Sequence, residues 1–212
     1  MKRLIALTLA MLMLLCCGCT GSGNDVAENV ETTPTPTPKP DVPVAAQTVV
    51  TNSKGDPVDV AVMIHGEEEI ISMTPVSGSF AAHGGPEFTL LVDRSRYAVN
   101  DVGGFCYVTL STGMSGDVYA ELGFRPEVNA KDIGTEILDE YGIMGVKEEP
   151  KSEWLGNNRV RHIHGKTVQN EFDVYLLDTE GGCMTLVLST SPYTAAHRSR
   201  LMATLESLEI FE

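Results

Sequence analysis

The chain has 212 residues, the length of one domain with extensions. Apolar residues make up 42%, enough for a packed core, and 29 acidic against 15 basic residues set the formal charge at −14. That balance argues against a nucleic-acid partner, because neutralising phosphates needs clustered Lys and Arg.

Lys2 and Arg3 precede an apolar run from Leu4 to Leu15, which is short for a mature membrane-spanning helix. A charged start, an apolar stretch and small residues near a cut read as a secretory signal over residues 1–18. The run ends in Cys16-Cys17-Gly18-Cys19. This resembles the bacterial lipobox, in which a small residue precedes the Cys that becomes lipidated. Gly18 makes Cys19 the better acceptor, with Cys17 as the alternative. Cys16 stands where the motif usually has Leu. The resemblance implies an extracytoplasmic protein held on the bacterial cell membrane through Cys19, since two or three acyl chains anchor stably. Loss of residues 1–18 removes Lys2 and Arg3, which makes the chain still more acidic. Anionic headgroups repel such a protein, so it is expected to stand off the bilayer.

Residues 19–47 form the expected tether. Thr33-Pro34-Thr35-Pro36-Thr37-Pro38-Lys39-Pro40 offers no apolar periodicity, and alternating Pro favours extended polyproline II over helix or sheet. Residues 48–212 then read as a single α+β domain, divided into a hairpin extension over 48–80 and a core over 87–212. Val58 to Ile64 alternates and is β-branched, His65-Gly66-Glu67 turns, and Glu68 to Met73 returns as the second strand. Pro75 to Pro86 reads as a loop. Strands follow at Glu87 to Asp93, Phe105 to Ser111 and Asp117 to Phe124, with a turn over residues 101–104. Asn129 is placed to cap a helix from Ala130 to Tyr141 whose buried stripe is Ile133, Ile137 and Tyr141. Lys147 to Trp154 reads as an exposed connection and Asn157-Asn158 as a turn. Strands at Val160 to Thr167, Glu171 to Asp178 and Cys183 to Thr190 make a meander. Ser191-Pro192 then opens a final helix, with Leu201, Leu205 and Leu208 inward and Arg198, Arg200 and Glu206 in water. The expected architecture is an antiparallel sheet of about six strands packed with two helices.

From Glu87 to Phe211 the expected order is β-β-β-α-β-β-β-α, with a Gly pair between Leu176 and Leu188 and a terminal amphipathic helix. This resembles the PsbP-like sandwich, the fold of the photosystem II extrinsic subunit and of bacterial DcrB-type lipoproteins. The hairpin His65-Gly66-Glu67-Glu68-Glu69 is similar to one that precedes the domain in lipoproteins of Gram-positive gut bacteria. The resemblance implies a non-catalytic role in binding or assembly, an inference from fold alone.

Chemistry-bearing residues concentrate in Arg159-Val160-Arg161-His162-Ile163-His164. On a strand His162 and His164 share a face and are weak metal candidates, since no third ligand stands at a recognisable spacing. Arg159, Arg161 and Lys166 form the one basic cluster and are candidates for contact with an anion or an acidic partner. Alternation puts Arg159 and Arg161 on one face and Lys166 with the histidines on the other; pairing with acidic neighbours and blunting a strand edge is the simpler account of them. Glu67-Glu68-Glu69 point in different directions and read as a solvated tip. Cys106 and Cys183 open predicted strands and read as buried free thiols, with a disulfide between them as the alternative in an extracytoplasmic compartment. No nucleophile elbow, phosphate loop or zincin motif occurs, so no catalytic residue and no cofactor is expected. The remaining expectations are a monomeric domain and an envelope protein as partner. Small-ligand binding between sheet and helices is the alternative function, and a cryptic hydrolase a second one.

Overall fold

In the computed structural model, residues 55–112, 117–144, 146 and 151–211 are described. The signal segment, Cys19, the Thr/Pro tether and Gly113 to Gly116 lie outside them. The described residues belong to one compact unit, residues 40–212.

β1 (Val58–Ile64) and β2 (Glu67–Ser79) form the expected hairpin. They pair with Val60 opposite Ile71 and Ile64 opposite Glu67. Its two-residue turn has positive φ at both His65 (54°) and Gly66 (86°), the combination that follows the twist of paired strands. β2 continues through Pro75 to Ser79, where the sequence reads as a loop. It does so because that stretch pairs with β3 (Glu87–Val92) and because Gly78 leaves room for the Phe88 ring opposite it. A Cβ at Gly78 would lie 2.3 Å from that ring.

Seven strands make the larger sheet: β4 (Tyr97–Val102), β5 (Phe105–Leu110), β6 (Tyr119–Pro126), β7 (Lys151–Leu155), β8 (Asn158–Lys166), β9 (Glu171–Thr179) and β10 (Gly182–Thr190). Their order is β4-β5-β6-β10-β9-β8-β7, antiparallel throughout. The smaller sheet runs β1-β2-β3-β11, where β11 (Glu209–Phe211) pairs with β3. The fold is therefore α+β and antiparallel, but with two sheets of seven and four strands in place of one sheet of about six.

Further elements depart from the sequence reading. β4 occupies a stretch with weak alternation, and Gly103-Gly104 alone make the turn. β7 occupies the expected connection, so β8 is not an edge strand; β7 is. The terminal helix, α2 (Ala195–Glu206), stops at Ser207, and the chain re-enters a sheet. Ser207 fixes that stop: its hydroxyl donates to the Thr204 carbonyl at 2.7 Å and accepts the Leu91 N–H at 2.8 Å. Thr194, not Ser191-Pro192, is the residue before the helix.

The helix α1 (Gly134–Glu140) is shorter than expected. Asn129 does accept the N–H groups of Lys131 and Asp132 (3.0 and 3.1 Å), but it caps a turn that precedes the helix. Ile133 and Ile137 are buried as the spacing predicts.

The two faces of the large sheet carry separate cores. One face packs Leu122, Phe124, Leu186 and Leu188 against Phe88 and Leu90 of the small sheet and Leu201, Leu205 and Leu208 of the α2 region. The other packs Ile163, Val174 and Val187 against Ile133 and Ile137. A third cluster joins Ile71 and Met73 to Ala196 and Ala203, so α2 touches both sheets. Its second flank explains one reversal: Arg200 is buried, at 8% exposure, where the leucine spacing places it in water. Its guanidinium reaches Glu69 at 2.6 Å and Asp93 at 3.8 Å, tying helix, hairpin and loop. Among the described residues no helix is long and apolar enough to cross a membrane.

Candidate functional site

The residues that the sequence singles out sit on β8, one strand in from the sheet edge, and alternation divides them between the two faces. On the face shared with α2, His162 lies opposite Tyr175 and His164 opposite Asp173. The His162 ring stacks on Tyr175 at 4.5 Å. Asp173 is the centre of this face. It is 1% exposed, and its Oδ1 meets His162 Nε2 at 3.0 Å and His164 Nδ1 at 2.9 Å. Arg198 of α2 ion-pairs with Oδ2. His162 Nδ1 in turn faces Glu153 Oε1 of β7 at 2.9 Å.

Both nitrogens of His162 therefore point at carboxylates, an arrangement that a doubly protonated imidazolium satisfies and a neutral ring does not. Burial works against that charge, but Asp173 and Glu153 outweigh it and the pKa of His162 is raised. Burial also opposes ionisation of Asp173. The bonds from His162, Arg198 and His164 nonetheless hold its carboxyl well below the usual range. The group is an ionic clasp joining β7, β8, β9 and α2.

The two histidines share a face as expected, and Asp173 stands between them as the partner that no local spacing could reveal. It takes their N–H groups, where a metal needs lone pairs. Among the described residues no group of three or more His, Cys, Asp or Glu is arranged to hold a metal ion.

On the opposite face Arg159 and Arg161 stay together. The register sets Trp154 against Arg159 and Ser152 against Arg161. Arg159 Nε donates to Ser152 Oγ at 2.9 Å. Arg161 Nε is buried and has no hydrogen-bond partner among the described residues. A cavity of about 190 Å³ lies here, lined by Ala130, Ser152, Arg159, Arg161, Leu176 and Asp178. Trp154, the one tryptophan of the chain, is 70% exposed. Lys166 falls on the other face by alternation, and its backbone bridges Met144 beside β8. The expected three-residue basic cluster is therefore two arginines with an aromatic neighbour.

A second buried carboxylate, Glu121 on β6, faces the α1 side at 1% exposure. The Tyr141 hydroxyl donates to it, and Tyr107 also hydrogen-bonds it. Burial raises its pKa against those two bonds. Arg125 close by is engaged by Glu140 at 2.6 Å and sits over the Phe105 ring at 5.4 Å. The sequence carried a signal for both buried acids, a carboxylate flanked by apolar residues within a strand (Glu121 in YAELGF, Asp173 in FDVYLL).

Cys106 and Cys183 are free and buried. They belong to the cores on opposite faces of the sheet, and burial pushes both thiols up to about 12. Glu67 and Glu68 are solvated, whereas Glu69 is the partner of Arg200.

No known protein family, no curated protein and no solved structure matches the chain.

Proposed function

We propose that this is a non-catalytic lipoprotein of the bacterial cell envelope, tethered through Cys19, whose domain binds a partner protein in support of an assembly. The observation that carries the reading is the exposed Trp154 beside Arg159 on the edge hairpin β7–β8. Trp and Arg are the side chains that most often dominate the energy of protein interfaces. Further support comes from the two filled cores, which give this surface a rigid base, and from the ionic clasp, which pins β7 on its other side. The PsbP-like resemblance agrees with such a role.

Two measurements test it. Cys19→Ser should release the protein from the membrane or leave an uncut precursor; normal size and retention in that variant, with loss in Cys17→Ser, would move the anchor. Chemical cross-linking of intact cells should give a discrete complex that disappears in Trp154→Ala/Arg159→Ala. Persistence of that complex contradicts this surface as the contact.

Small-ligand binding has one observation in its favour. An open groove of about 600 Å³ is lined by Gly84, Pro86, Glu87, Gly181 and Phe211. It lies beside the β9–β10 turn and β11, away from both helices.

A further inference from the structure

We infer that the β7–β8 edge accepts an extended, acidic segment of the partner, which adds to the sheet alongside β7 and places a carboxylate between Arg159 and Arg161. The inference rests on the reading of this face as the contact surface and specifies the chemistry of what it binds.

Three features converge. β7 ends the sheet, and among the described residues no strand pairs with the outer side of Ser152 to Leu155, an edge of the kind that another strand can join. Side chains of an added strand alternate, and those on the α1 side would lie along Ser152 and Trp154, with Arg159 and Arg161 one strand behind. The cavity beneath them holds unmet donors. Among the described residues Arg161 Nε is buried without a partner, and the one bond described for Arg159 runs from Nε to Ser152. Guanidinium donors in that state favour a carboxylate, which two of them can hold in a fork.

Asp178 also lines the cavity, but its Oδ1 accepts the Ala130 N–H at 2.6 Å, so it serves the turn before α1. Among the described lining residues two arginines face one aspartate, a positive balance in a chain whose formal charge is −14. An acidic partner is therefore attracted to this edge and repelled by the rest of the surface, which sets orientation as well as affinity. A free anion would use the arginines and leave Trp154 and the strand edge without a role.

Trp154 supplies the assay, because it is the one tryptophan and its emission reports on this edge alone. The full chain in non-ionic detergent is titrated with an end-blocked peptide alternating Val and Glu, with its Val/Lys counterpart, and with inorganic phosphate. The Val/Glu peptide should shift the emission to shorter wavelength and saturate. The Val/Lys peptide should not. Arg161→Gln should weaken binding about tenfold, the loss expected for one charge-assisted hydrogen bond. Arg161→Lys should weaken it less, and Lys166→Gln, on the other face, should leave it unchanged.

Equal binding of both peptides would overturn the inference, as would an unaltered affinity in both Arg161 variants. A full shift with phosphate alone reduces the site to a small-anion seat. A shift on concentrating the protein without peptide assigns the edge to a second copy of the chain. Far-ultraviolet circular dichroism shows whether a variant is folded; should Arg161→Gln unfold, Arg161→Lys and Arg159→Gln decide the outcome. If the cellular complex depends on Trp154 but the Val/Glu peptide does not bind, the acidic chemistry fails and the contact surface stands.

Discussion

Asp173 and Glu121 are equally buried and lie on opposite faces of the same sheet, yet their surroundings drive them apart. Asp173 meets His162, His164 and Arg198, so its charge is matched and its pKa falls. Glu121 meets the hydroxyls of Tyr107 and Tyr141, which cannot offset the loss of water, and its pKa rises. Burial is common to both; the supply of cations differs. The difference also divides the labour between the faces. The Asp173 face is locked by charge and joins four elements, while the Glu121 face fastens the end of α1 with the Tyr141 hydrogen bond and one Arg125–Glu140 pair, and leaves Arg159 and Arg161 near the edge for other uses.

The largest expected effect is on the locked side. Asp173→Ala should cost about 3–5 kcal/mol, because it removes at once the charged hydrogen bonds that His162, His164 and Arg198 make to one buried carboxylate. A urea melt of residues 40–212 measures it, and a loss below about 1 kcal/mol would mean that the clasp is decorative. Leu205→Ala, in the core beneath the same helix, should cost about 2–5 kcal/mol as a cavity substitution. Arg200→Ala should cost about 1.5–3 kcal/mol in the same melt through its charged hydrogen bond to Glu69. A melt like the parent's would return Arg200 to solvent.

That residue shows where the sequence stopped being informative. Leu201, Leu205 and Leu208 identify the inner face of α2, and burial follows the spacing. One-dimensional periodicity assumes a single packing partner, however, and α2 has two. Arg200 faces the second, a hairpin more than a hundred residues earlier, and no local pattern announces such a neighbour. β7 and β11 were hidden for a related reason. Each is short and polar on at least one side, and each exists because a neighbouring strand offers an edge. By contrast the long alternating or β-branched runs that became β1, β9 and β10 could be read almost to the residue. At the site, alternation correctly separated Arg159 and Arg161 from His162 and His164, because that is a property of one strand. Asp173, Glu153 and Arg198 come from three other elements and enter only through the register and the helix packing.

The comparison between the carboxylates sharpens with pH. Glu121 has a folded pKa above its unfolded value, so its contribution to stability falls as pH rises from about 4.3 towards that raised value. Glu121→Gln keeps an acceptor for Tyr141 and should flatten this part of the profile, with an effect under about 1 kcal/mol near neutrality. Identical pH slopes for parent and variant between pH 4 and 7 would contradict the assignment. His162 acts in the opposite region. Its raised pKa gives a contribution that is complete below its ordinary value of about 6.5 and is lost as pH rises through the raised one. The parent should therefore lose stability on the alkaline side of neutrality more steeply than His162→Gln. Equal slopes there would show that Glu153 and Asp173 do not hold a charged ring.

The central claim concerns neither carboxylate but the edge that the clasp holds in place. A photo-reactive amino acid at position 154 and, separately, at Val102 on the opposite edge strand β4 tests it on intact cells, since both positions are exposed and end the same sheet. The account predicts a discrete protein adduct from position 154 and none from position 102. Adducts from both positions alike, or from position 102 alone, would contradict it.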